Sequence, residues 1–173
     1  WSDGEPFTVD DILFWWEDLL LNEDFTAAPP SQYKPGGEIA ELVIHDDYNF
    51  TFKFAVPHPT FMDTMYEGGS EYGINRSPKH YLKQFHPKYS DEDDLAEKLE
   101  ESGIDNWALL LDARSNRIVN PDIPTLSPWK MTTDPKEDIQ IAERNPYYWK
   151  VDPEGNQLPY IDRFIMLQIK DPE

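Results

Sequence analysis

From Thr8 to Leu21 the chain reads TVDDILFWWEDLLL, and no other stretch restricts the possible folds as much. Thr8 is an N-cap residue with Asp11 three positions on, where a carboxylate can reach back to the cap amide and sit favourably on the helix dipole. Before it, Ser2, Asp3 and Gly4 carry turn chemistry. After it, Ile12, Leu13, Phe14, Trp15, Trp16, Leu19, Leu20 and Leu21 leave only Glu17 and Asp18 as a wet edge. Such a stripe is far wider than the one face a surface helix needs. The pattern predicts a helix over residues 8–22 that is buried on most of its circumference, so neighbouring segments must supply its walls. The sequence opens in mid-motif, without an initiator Met or a signal peptide, and reads as an internal piece of a longer protein.

Charge narrows the partners. Acid outnumbers base 34 to 15, for a net charge of -19, and the acid is spread along the whole length. Nucleic acid is excluded as a partner, because phosphate binding needs clustered Lys and Arg, and an anionic membrane surface is disfavoured for the same reason. Aromatic residues make up 14% of the chain, which separates it from an acidic disordered tail. With no Cys there are no disulfides, thiolate nucleophiles or Cys-ligated metals. A length of 173 residues suits one domain or one lobe of a larger one.

Periodicity supplies the remaining elements. Residues 39–45 and 49–56 are predicted to pair as a hairpin, with Phe50, Phe52 and Phe54 on a packed face and Thr51 and Lys53 opposite. Helices are predicted at 58–67, at 78–86 behind the Ser77-Pro78 start, at 91–102 before Gly103, and at 105–113. The Pro-rich run 120–128 reads as a loop and as the main internal boundary. Strands are predicted at 129–132, 139–143 and 163–170; the last is apolar on both faces, which belongs inside a layered sheet.

Chemistry-bearing constellations are sparse. His80 and His86 are six residues apart, not one helical turn, so they make a poor metal pair. Asp152, Glu154 and Asn156 alternate as in calcium loops but lack the later bidentate Glu that closes one, which favours a reverse turn. No nucleophile elbow, phosphate loop or dinucleotide fingerprint is present. No metal or other cofactor is expected. Aromatics beside polar loop residues stand out instead: Tyr33 with Gln32, Tyr66 and Tyr72 with Asn75, and the run Tyr147-Tyr148-Trp149. These suit either a cleft that stacks on sugars or peptide side chains, or the walls of a core.

Four motifs then occur in a telling order: WSDGEPFTVDDILFWWEDLL, SPKHYL, PTLSPW and AERNPYYWKVDPEGNQLPYIDRF. In this the chain resembles, from end to end, the family 5 extracellular solute-binding proteins of ABC transporters, the oligopeptide, dipeptide and nickel binders. Ser127 stands where family members usually have Gly. The resemblance implies a mixed α/β fragment, part of lobe I of a periplasmic-binding-protein-like type II fold. Residues 1–120 would form the helical and hairpin subdomain of that lobe and residues 121–173 the return strands of its main sheet, with the second lobe absent. Asn145-Pro146-Tyr147-Tyr148-Trp149 would be a structural turn packing the lobe.

The implied function is capture of an oligopeptide or oligosaccharide outside the cytoplasm, in the periplasm or as a cell-surface lipoprotein, and delivery to an ABC permease, without catalysis. In the family the loop after the first helix and the loop before the SPKH-type helix face the cleft, which singles out Gln32, Tyr33, Tyr72 and Asn75. The alternative from a different class is a carbohydrate-active hydrolase using paired carboxylates. Carboxylates are so plentiful here that a pair counts only across a concave surface.

Overall fold

Thr8 caps the organising helix as its sequence requires. In the computed structural model, its hydroxyl accepts from the amide of Asp10 while the Asp11 carboxylate accepts from the amide of Thr8, closing the capping box. The structure describes residues 1–67 and 74–167. Helix α1 (Val9–Leu13) runs without a break into a π-helix, Phe14–Leu20, in which the Leu21 amide reaches the Trp16 carbonyl at 3.0 Å. The predicted wet edge is only half right. Glu17 is exposed, but Asp18 is 6% exposed and buried. A π winding advances each residue by a smaller angle than an α turn, so 17 and 18 do not take the orientations that an α-helical wheel assigns them.

By contacts the chain divides into two units, residues 7–79 and residues 1–6 with 80–173. In the first, strands β1 (Glu41–Asp46) and β2 (Asn49–Lys53) form an antiparallel hairpin with Leu42 opposite Phe52 and Ile44 opposite Phe50. Burial along β2 alternates as its side chains do, with Phe50 and Phe52 turned in and Asn49, Thr51 and Lys53 out. The core joins Ile12, Trp15, Trp16 and Leu20 to Tyr33 and Ala40, with the three Phe side chains of the hairpin packed against it. Phe54 lies past the end of the ladder yet still packs there. Helix α2 (Phe61–Glu67) begins three residues later than the sequence predicts, because His58 forms a turn whose carbonyl accepts the Phe61 amide at 3.2 Å.

The other unit carries most of the remaining elements: α3 (Lys79–Leu82) continuing as a 3-10 turn through Phe85, then α4 (Glu92–Ser102) and α5 (Trp107–Ser115). Asp91 caps α4 and Gly103 ends it at φ 66°, a left-handed position that Gly takes without strain. Asn106 caps α5. Strands β3 (Trp129–Met131), β4 (Ile139–Arg144) and β5 (Arg163–Leu167) make an antiparallel sheet in that order. Met131 and Phe164 both lie opposite Ala142, while Ile139 faces Leu167 and Ile141 faces Ile165. Opposed residues share a face, so both faces of this sheet carry apolar side chains. All five described residues of β5 are exposed, Ile165 at 61% and Leu167 at 70%. Among the described residues no helix is long and apolar enough to cross a membrane.

Candidate functional site

The loop that follows the organising helix turns at Pro30 into a 3-10 turn, Ser31–Tyr33. Tyr33 is 2% exposed, its ring 5.5 Å from those of Trp15 and Trp16 in edge-on contacts. Edge-to-face aromatic pairs at this spacing are favourable beyond the area they bury. Its hydroxyl donates to the Met65 sulfur at 3.2 Å. Burial pushes the Tyr33 phenol above its ordinary value, and a hydrogen bond from the neighbouring Gln32 side chain works in the opposite direction. Tyr33 therefore holds its loop down and does not present a free ring. Gln32 is half-buried and Asn75 is exposed. Ile74 packs on the same aromatic core as Tyr33, so the loops bearing Gln32 and Asn75 are both anchored to one cluster. Tyr72 lies outside the described residues.

The second constellation, between β4 and β5, is built around Asn145, which is 1% exposed. Its side-chain amide donates to the carbonyls of Thr125 and Ser127 at 3.2 and 3.0 Å, its carbonyl oxygen accepts the Tyr147 amide, and its own backbone amide reaches Pro128. The turn expected from the RNPYYW motif is present. Its packing differs from expectation, however: Tyr147 and Trp149 are 60% and 69% exposed, and the Tyr147 ring lies over Gly4, where an added Cβ would meet it at 3.1 Å. Ser127 does not take a positive φ, so its turn does not demand Gly.

Beyond it, DPEGNQ folds as a reverse turn. The Asp152 carboxylate accepts the amides of Glu154 and Asn156, the Asn156 side chain and the Tyr160 hydroxyl, the last at 2.6 Å. The Tyr160 hydrogen bond, followed by those from Asn156, holds the Asp152 carboxyl at about 2, and the same bond raises the Tyr160 phenol. With its oxygens committed to its own loop, Asp152 is not arranged as an open cation ligand. His80 is paired with Asp3 at 2.8 Å, whereas His86 accepts the Lys88 amide and packs on Trp107. Among the described residues no group of three or more His, Asp or Glu is placed to hold a metal ion.

One feature escaped sequence reasoning. A cavity of about 420 Å3 lies between the 117–128 loop and the sheet, walled by Ile118, Ile123, Trp129, Met131, Ala142 and Phe164, and no acidic residue lines it. The PTLSPW motif marks its floor, but nothing in the spacing of that motif encodes a void.

Known proteins share this fold. The chain is 42% identical to a solved oligopeptide-binding protein, OppA, with a TM-score of 0.85 over 99% of its residues and 26% of that chain. It is 29% identical to the periplasmic binding protein MelB of Agrobacterium fabrum C58, solved in complex with stachyose, at a TM-score of 0.68 over 95% of its residues and 22% of that chain. A periplasmic alpha-galactoside-binding protein of Rhizobium meliloti (strain 1021) is 33% identical over 94% of this chain, which spans 21% of that relative. The middle model of the bacterial extracellular solute-binding proteins, family 5, matches residues 1–173, and the chain belongs to that family.

Proposed function

We propose that this chain is part of the substrate-binding component of an ABC importer, which captures an oligopeptide or an oligosaccharide outside the cytoplasm and hands it to a membrane permease. The observation that supports it is the family match over all of residues 1–173, with relatives whose names span both ligand classes. In this reading residues 1–120 and 121–173 both belong to the first of two lobes, and affinity comes from closure of the pair on the ligand. Gln32 and Asn75 are the cleft residues, with Tyr72 between them in sequence, and Tyr33 fixes the loop from within the core.

Catalysis has no part in this reading. The related proteins are named for binding.

Thermal-shift screening of the full-length protein against oligopeptide and oligosaccharide pools tests the reading. A ligand that binds only the folded state at a hundredfold excess over Kd adds about 2.7 kcal/mol by mass action. A shift with one pool and not the other selects the ligand class. No shift with either, while a chromogenic glycoside is turned over, would replace a receptor with a hydrolase.

A further inference from the structure

Two Asn-x-Ser/Thr triplets occur in the sequence, Asn49-Phe50-Thr51 and Asn75-Arg76-Ser77. Such triplets are acceptors for N-glycosylation in proteins outside the cytoplasm, provided they lie on the surface. A transferase must reach both the carboxamide and the hydroxyl two residues on. That requirement separates the two. Asn75 is exposed, but Ser77 is 4% exposed and leads straight into the fully buried Pro78, so this triplet is closed in the folded chain.

Asn49 is placed differently. It is the first residue of β2, directly after the two-residue turn Asp47-Tyr48, and Asp47, Tyr48, Asn49 and Thr51 are all exposed. Alternation along the strand puts Asn49 and Thr51 on the same outward face, while Phe50 turns inward and anchors the strand. The Thr51 hydroxyl lies 2.9 Å from His45 Nε2 on the exposed side. The Asn49 carboxamide nitrogen donates to the two Asp46 oxygens at 2.9 and 3.0 Å.

We propose that Asn49, at the β1–β2 turn, is an N-glycosylation site. The donor is an oligosaccharide carried on a polyprenyl diphosphate. Asn49 Nδ2 bonds to the anomeric carbon, the bond from that carbon to the diphosphate oxygen breaks, the lipid diphosphate leaves with the electron pair, and one of the two amide protons goes to a base of the transferase. The remaining N–H still donates to Asp46, so the turn keeps its geometry once modified.

The test is peptide-level mass spectrometry of the full-length protein purified from its native cell envelope. The Asn49 peptide is expected to carry a glycan mass that is lost completely in Asn49→Gln and in Thr51→Ala and kept in Thr51→Ser, with the Asn75 peptide unmodified throughout. An Asn49 peptide found only at its unmodified mass overturns the proposal. So does an added mass that survives Thr51→Ala, since it would not depend on the acceptor hydroxyl.

Discussion

The carboxylate of Asp11 accepts the backbone amide of Lys79 at 2.9 Å across 68 residues of sequence, with one oxygen, while its other oxygen closes the cap on Thr8 at 3.1 Å. One buried side chain thus terminates two helices, α1 and α3. Asp11→Ala strands two amide donors and is expected to lower stability by about 2 to 4 kcal/mol. Asp11→Asn keeps one acceptor oxygen and should fall between. Urea unfolding checks this as a lower midpoint at unchanged slope; a wild-type midpoint for Asp11→Ala would show that the bridge contributes nothing.

Asn145 is the corresponding hub of the β4–β5 connection. Asn145→Ala leaves the Thr125 and Ser127 carbonyls and the Tyr147 amide without their buried partner, at an expected cost of about 2 to 4 kcal/mol. Asn145→Asp should be worse, since it sets a carboxylate against two carbonyl oxygens. Hydrogen exchange should speed up first at Tyr147 and Tyr148; unchanged protection there would contradict the assignment.

Tyr33 separates packing from ligand contact. Tyr33→Ala empties the centre of the aromatic core and should cost about 3 to 5 kcal/mol, as deletions of large buried aromatics do. Tyr33→Phe keeps the ring, loses only the Met65 and Gln32 contacts, and should cost about 1 kcal/mol. Ligand affinity of the full-length Tyr33→Phe variant should stay near wild type, whereas Asn75→Ala should weaken it. The reverse pattern in calorimetry would put the Tyr33 hydroxyl in the cleft.

The Asp152–Tyr160 pair sets a pH range. Asp152 is held at about 2, below the ordinary value of about 3.9. A depressed carboxyl adds stability that is fully present above its unfolded value and is lost as pH falls toward the folded one. The stability that this carboxylate lends to the 152–160 turn should therefore fade between about pH 4 and about pH 2. Tyr160 is shifted the other way: its contribution is complete below about pH 10 and disappears as pH rises through its elevated value. Carboxyl carbon NMR should show Tyr160→Phe bringing Asp152 back toward the ordinary range. An unmoved titration in that variant would mean the phenol is not the main cause.

Net charge makes salt a stabiliser. With 34 acidic against 15 basic residues, self-repulsion opposes the compact state. Screening lengths fall from about 30 Å at 0.01 M to about 3 Å at 1 M. The thermal midpoint should climb with NaCl by about 3 °C for each kcal/mol of repulsion relieved. Sucrose at matched osmolality should not reproduce the ionic dependence. A midpoint that falls with salt would mean that the ion pairs outweigh the repulsion.

Local chemistry was the legible part of this fold. The capping box at Thr8 and Asp11, the alternating Phe50, Phe52 and Phe54, the Asp91 and Gly103 boundaries of α4 and the three-stranded sheet all follow from spacing and short-range preference. What spacing hides is long-range or geometric. That Asp11 rather than a neighbour in sequence receives the Lys79 amide depends on a contact 68 residues away. The π winding over Phe14–Leu20, within which Asp18 is buried, has no counterpart in a helical wheel, which assumes α geometry. Of the cleft candidates, Tyr33 was legible as an aromatic beside a polar loop, but only coordinates distinguish a ring that stacks on ligand from one that completes a core. The 420 Å3 cavity lies between segments far apart in the chain and had no signature to read.

β5 has one further consequence, for anyone handling this stretch of polypeptide. Among the described residues it has a ladder partner on one side only, β4, and Phe164, Ile165, Met166 and Leu167 are exposed along it. An open, apolar edge is a template on which a second strand can grow, and a run with few charges and no Pro lacks the usual protections. Expressed by itself, the segment should form intermolecular sheet through this edge before any other part of it associates. A lysine at Ile165, which points out of the sheet at the middle of the run, is the smallest change that should keep it monodisperse.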